Sequence, residues 1–196
     1  MHLVFDIFQG VGVAAAVGIR PFLPALAVGG LAAGDAQIDF AHTSFDFLQS
    51  VPFLIGMAVG AALLATAERR FGAEAMERPP LALTVAAFSL AIGALMFAGS
   101  LCRGGYVIWP GLIGGVLCAA VGILATRPLL ARVRTRLDQE SQGALPLFAE
   151  ATAVIAAVLS VLLPPVGVIV LALLLWLLLA GRGKGEQKFA GLRILR

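Results

Sequence analysis

The chain has 196 residues, of which 60% are hydrophobic and only 13% charged, and its mean hydropathy is +0.99. A water-soluble domain carries about 25% charged residues, so this chain cannot cover a soluble surface, whereas its length holds several apolar spans of about 20 residues joined by short loops. The net charge of +3 does not point to nucleic acid, because the basic clusters have no interleaved aromatics. The composition therefore predicts an all-α fold, a polytopic membrane helix bundle with about six hydrophobic segments. Residues 1–181 would form a single transmembrane domain and residues 182–196 a basic cytoplasmic tail.

The first hydrophobic block, about 5–34, is broken in its middle by Gly18-Ile19-Arg20-Pro21-Phe22-Leu23-Pro24. Proline interrupts helical hydrogen bonding, and a permanent cation within a membrane-length segment is costly. Such a break is tolerated where protein or a water-filled cavity surrounds it. Neither half is long enough to span a bilayer core of about 30 Å. The block is thus either one kinked crossing or a re-entrant hairpin of two half-helices. No Lys or Arg precedes Arg20, so the block lacks the basic start of a cleavable signal peptide and is expected to stay in the mature protein.

The linker at 35–50 carries Asp35, Asp39, Asp46 and His42 and no basic residue, and Phe40, Phe45 and Phe47 suit a short interfacial segment. The second block, about 51–67, contains Gly56-x-x-x-Gly60, a spacing that lets helices approach closely, and ends at Glu68-Arg69-Arg70. The third block spans about 81–101. The fourth, about 107–126, opens beside Tyr106 and Trp109, where interfacial aromatics are enriched. Residues 127–147 read as an amphipathic surface helix, with Leu129, Leu130, Val133 and Leu137 opposite the arginines. The last block, about 148–180, is interrupted by Pro164-Pro165 and reads as a hairpin.

Twelve of the fourteen basic residues lie at 69–78, 127–136 and 182–196. By the positive-inside rule these regions face the cytoplasm. The expected location is a bacterial cytoplasmic (inner) membrane, multi-pass, with the C-terminus cytoplasmic.

Gly12-Val-Ala-Ala-Ala-Val-Gly-Ile-Arg-Pro-Phe-Leu-Pro24 resembles the opening motif of an uncharacterised bacterial membrane-protein family, domain of unknown function 4126. The order of Leu63-Leu-Ala-Thr-Ala-Glu68, a middle rich in small residues, and Phe148-Ala-Glu150 is similar to that family as well. The chain departs from the pattern at 137–146, which lacks an Asn-Pro pair, and Glu150 is not followed by a second acidic residue. The resemblance implies an integral membrane protein and no particular activity.

The residues expected to carry function are Arg20, Pro21, Glu150, Glu68 and Gln9. Arg20 precedes a half-helix whose N-terminal amides add positive potential, an arrangement suited to an anionic solute or a lipid head group. The competing reading is an internal ion pair. Glu150 could pair with Arg20 or take up a proton. Glu68, followed by two arginines, reads foremost as a solvated pair at the end of a span. Asp6 and Gln9 could line one polar pathway with Arg20, although Asp6 lies near enough to the terminus to favour interfacial exposure. Cys102, Cys118, His2 and His42 form no metal or catalytic set, and the serines have no histidine nearby. No cofactor, metal or enzymatic activity is expected. The leading expectation is a small transporter or permease-like protein. The alternative is a non-transporting membrane scaffold or assembly partner packed through Gly/Ala-rich helix faces. Membrane lipids are expected partners, and a homodimer fits the small size of the bundle.

Overall fold

The computed structural model describes residues 2–72, 78–138 and 143–190, with the side chains of His2 and 182–190 outside the description. The described residues form seven α-helices and no strand: α1 (His2–Ile19), α2 (Phe22–Ala33), α3 (Val51–Phe71), α4 (Leu81–Arg103), α5 (Ile108–Arg134), α6 (Leu145–Leu162) and α7 (Pro164–Ala190). A 3₁₀ turn at Asp46–Gln49 precedes α3. Five of these helices, α3 to α7, are long and apolar enough to cross a membrane, while α1 and α2 are shorter apolar helices.

Side-chain contacts fix the direction of each helix. Arg103, at the end of α4, places Nη2 2.5 Å from Asp6 Oδ1 near the start of α1. Its Nη1 donates to the carbonyl of Gln37, just past α2, at 2.7 Å. Both ends of the α1–α2 unit therefore meet at one end of the bundle, and Arg20 sits at the other. The first block is a hairpin, not a single crossing. Asp6 is only 3% exposed, so it is a buried partner of Arg103 and not an interfacial group.

The last block folds back in the opposite sense. Val161 of α6 lies beside Gln9, and Gly167 of α7 lies against Phe8 and Gly12. Gly181 returns to Arg132 at the far end. One break thus follows the C-terminal end of α1 and the other lies beside its middle, at Phe8 to Gly12; α1 is the central helix and packs on α4, α5, α6 and α7. Arg69, Arg70, Arg127, Arg132 and Arg134 gather at the Arg20 end. Asp6, Asp35, Asp39 and Asp46 gather at the other.

The packing is small inside and large outside. Ala14, Ala15, Ala16, Ala98, Ala119, Ala153 and Ala157 are buried, whereas Ile55, Leu63, Trp109, Leu117, Phe148, Ile169 and Trp176 are each more than half exposed. Helices associating in lipid gain nothing by hiding large apolar side chains, so small residues collect where backbones approach. In water the same surface would be an aggregation liability. Helix hydroxyls are satisfied locally: Ser89, Ser100, Thr126 and Ser160 each donate to the carbonyl four residues back. A lipid-embedded helix needs that, with no water to take the bond.

The Pro164-Pro165 break has its own remedy. Pro165 has no N–H, so the Val161 carbonyl loses its helical donor. Gln9, 2% exposed, donates Nε2 to that oxygen at 3.3 Å. Gln9→Leu is expected to lower stability by about 1–3 kcal/mol, the cost of an unsatisfied buried carbonyl. A melting curve of the purified variant checks this, and an unchanged midpoint would remove the role.

Three segments differ from the sequence expectation. Residues 127–134 are not a separate surface helix but the last turns of α5, which runs unbroken through Pro128. The linker at 35–50 tucks inward: Phe40 is 0% and Phe45 7% exposed, leaving Phe47 outside at 44%. Phe40 N–H donates to Gln49 Oε1 at 2.9 Å, so the linker folds as a cap on the bundle. Finally, α7 remains helical past Gly181 to Ala190, through the first residues of the expected tail.

Candidate functional site

The α1–α2 break builds the site. Arg20 N–H still reaches the Ala16 carbonyl at 3.2 Å, and Pro21, with φ −75° and ψ −40°, then opens α2. Pro21 is fully buried and serves as the corner. The Arg20 side chain extends to α3, where Nη1 lies 2.5 Å from Glu68 Oε1, with the two side chains 12% and 13% exposed. Glu68 is therefore not a solvated end-of-span group. Gly60 faces the Phe22 ring, Leu64 is the buried residue of α3, and Glu68 continues the same i, i+4 stripe. That spacing was the available sequence signal, and the adjacent Arg69-Arg70 pair masked it.

Glu150 completes the cluster. It stands on α6 in register with the buried Ala153 and Ala157, and it feels the charges of both Arg20 and Glu68. Its Oε2 is buried and has no hydrogen-bond partner among the described residues. Arg20 is thus engaged by Glu68 and not by Glu150. The result is one guanidinium close to two carboxylates.

Two cavities flank Glu68. The inner one, about 100 Å³, reaches Arg20, Ser89, Thr126, Arg127 and Arg134. Arg127 Nη2 donates to the Ala82 carbonyl at 2.8 Å, tying α5 to the start of α4. The outer one is a cleft of about 700 Å³ lined by Leu23, Ala61, Ala65, Glu68, Arg69, Arg134, Leu147 and Glu150, among others. Arg127 and Arg134 were read from the sequence only as topology signals, yet they line the inner cavity. Gln9 lines neither cavity: its amide is committed to Val161 at the other break, so the sequence-predicted polar pathway of Asp6, Gln9 and Arg20 is not assembled. Of the predicted residues, the structure brings together Arg20, Glu68 and Glu150, with Pro21 as the corner behind them.

An all-helical bundle, small residues within and large apolar residues without, and five helices of membrane-crossing length together define a polytopic membrane protein. Comparison with protein-family models, with curated proteins and with solved structures finds no match.

Proposed function

We propose that this protein is a small permease-like protein of a bacterial cytoplasmic membrane, with Arg20, Glu68 and Glu150 as its working site. The observation that supports this reading is their convergence. Arg20 and Glu68 are 48 positions apart, Glu150 comes from the other half of the chain, and all three meet at a helix break beside two cavities. Charged groups inside a membrane bundle are rare and mark pathways more often than packing. Broken helices that place their ends at such groups are a recurrent transporter device. The end rich in arginine is taken as cytoplasmic, which puts the C-terminus there and the Asp-rich end outside. Membership in the family of domain of unknown function 4126 belongs to the same proposal and rests on the opening motif.

A permease must expose its site to both sides. In a background of Cys102→Ser and Cys118→Ala, Ala65→Cys in the cleft is expected to react with a membrane-impermeant maleimide from the arginine-rich face. Val28→Cys, fully buried on α2 between the site and the acidic end, is expected to react slowly from the acidic face. Complete protection of Val28→Cys, with Ala65→Cys labelled from one side only, would leave a one-sided site and sink the permease reading. The scaffold reading would then gain. Its support is α3, whose main packing partners are α2 and the 3₁₀ turn and which presents Gly56 with nothing within 4 Å of a Cβ there, a face open to a second copy or another membrane protein.

A further inference from the structure

The outer cleft has a chemistry that the cluster alone does not explain. Its lining combines apolar Leu23, Ala65 and Leu147 with the carboxylates of Glu68 and Glu150. Helices α3 and α6 bound it, and of its lining residues Phe71 is 67% and Leu147 73% exposed. Its apolar wall therefore continues onto the outer face of the bundle, the face that lipid would cover. At its inner end the two carboxylates face a single guanidinium, which Glu68 already holds at 2.5 Å. Glu150 Oε2 is left buried without a donor. A buried acceptor in that state is costly until something donates to it. The rim of the same cleft carries Arg69 and Arg134.

We infer that this cleft binds an amphiphile whose head group carries a primary ammonium next to an acidic group, the chemistry of an ethanolamine phospholipid. The ammonium donates to Glu150, the phosphate faces Arg69, and the first carbons of the chains lie along Leu23, Ala65 and Leu147. The volume of about 700 Å³ lies within the usual range for a ligand site. It holds a head group and chain roots and leaves the remaining chain in the bilayer. This deepens the proposed function, because it rests on the same cluster being the working site. It also replaces the expectation of an anion at Arg20: the unmet demand in the cleft is for a donor, not for an acceptor.

The test uses the full chain in detergent with short-chain lipids added, read by native mass spectrometry and by thermal shift. Phosphatidylethanolamine is expected to be held about tenfold more tightly than phosphatidylcholine, whose quaternary nitrogen has no N–H to give. Phosphatidylglycerol is expected to bind no better than phosphatidylcholine, and free phosphoethanolamine to compete poorly, lacking the chains. Glu150→Leu is expected to abolish the ethanolamine preference and to keep the fold, since it removes an unsatisfied group. Glu150→Gln is expected to weaken the preference, its amide being neutral. Equal retention of the two zwitterionic lipids by the wild-type protein would overturn the inference, as would a preference that survives both variants. Tightest binding of phosphatidylglycerol would reinstate an anion site, and equal competition by free phosphoethanolamine would make the ligand a solute. Because binding is read without transport, a one-sided labelling result leaves the lipid preference standing. Loss of the preference with Val28→Cys still labelled from the acidic face removes the ligand class alone.

Discussion

Gly167→Val and Gly12→Val are each expected to yield little or no folded protein. At Gly167 a Cβ would be driven onto the Phe8 carbonyl and would lie 3.1 Å from the Gly12 Cα. At Gly12 it would meet Gly167 Cα and the Ser160 hydroxyl. Apart from the Ser160 side chain these are backbone atoms of the central helix and its neighbours, which cannot swing away to make room. Overpacking a well-filled core costs about 1–3 kcal/mol when side chains can adjust, and here the helices themselves must part, so the loss should exceed that range. The α1–α5 crossing behaves alike: a Cβ on Gly122 would come within 2.9 Å of Gly18 Cα. Gly56→Val is the matched control. Nothing lies within 4 Å of a Cβ there, and its effect should stay within about 0.5 kcal/mol. Size-exclusion recovery after a heating series would rank the variants. Comparable recovery of Gly56→Val and Gly167→Val would show that the crossing is looser than described.

The contrast between these glycines shows what the sequence could and could not convey. Gly56-x-x-x-Gly60 has the spacing of a close crossing, yet Gly56 opens onto free space and the nearest atoms to Gly60 belong to the Phe22 ring. Gly12 and Gly167 make the tight contact, and no spacing rule connects two residues on different helices. Composition and apolar runs were enough for the bundle itself, because the bilayer fixes helix length and leaves few alternatives. They were also enough for the two proline breaks. The hairpin of α1 and α2 was not decidable from its own residues, because Arg103, far along the chain, is what gathers Asp6 and Gln37. The same holds for the site. Arg20 and Glu150 stood out as charges in apolar blocks. Glu68 looked like an interfacial neighbour of Arg69 and Arg70 until the face of α3 was known. Gln9 looked like a pathway residue because a lone amide in an apolar helix demands a partner, and that partner turned out to be a carbonyl orphaned by Pro165.

Arg20→Ala is expected to destabilise the protein more than Glu68→Ala, and this asymmetry separates the site from an ordinary ion pair. Removing one member of a buried pair strands the other, at a cost of about 3–5 kcal/mol. The Arg20 and Glu68 side chains are 12% and 13% exposed, so Arg20→Ala should fall in that range, leaving two neighbouring carboxylates without a cation. Glu68→Ala strands nothing if Glu150 accepts the freed guanidinium. Its loss should be the smaller by about 1–2 kcal/mol, in line with coupling between residues of one network. The asymmetry should vanish when Glu68→Ala is made on a Glu150→Leu background, where Arg20 has no second carboxylate. Equal losses for the two single variants on the wild-type background would mean that Glu150 cannot reach Arg20. The charge exchange Arg20→Glu with Glu68→Arg carries the argument to function. It keeps opposite charges facing each other across α1 and α3, so it should recover much of the stability lost by either single reversal. The guanidinium would then project from α3 and no longer from the break between α1 and α2. A pair that only holds the bundle together would tolerate this, and labelling of Val28→Cys from the acidic face would persist. A pair that works by coupling a charge to the α1–α2 corner would not, and the acidic-face labelling is expected to disappear while the melting midpoint is retained.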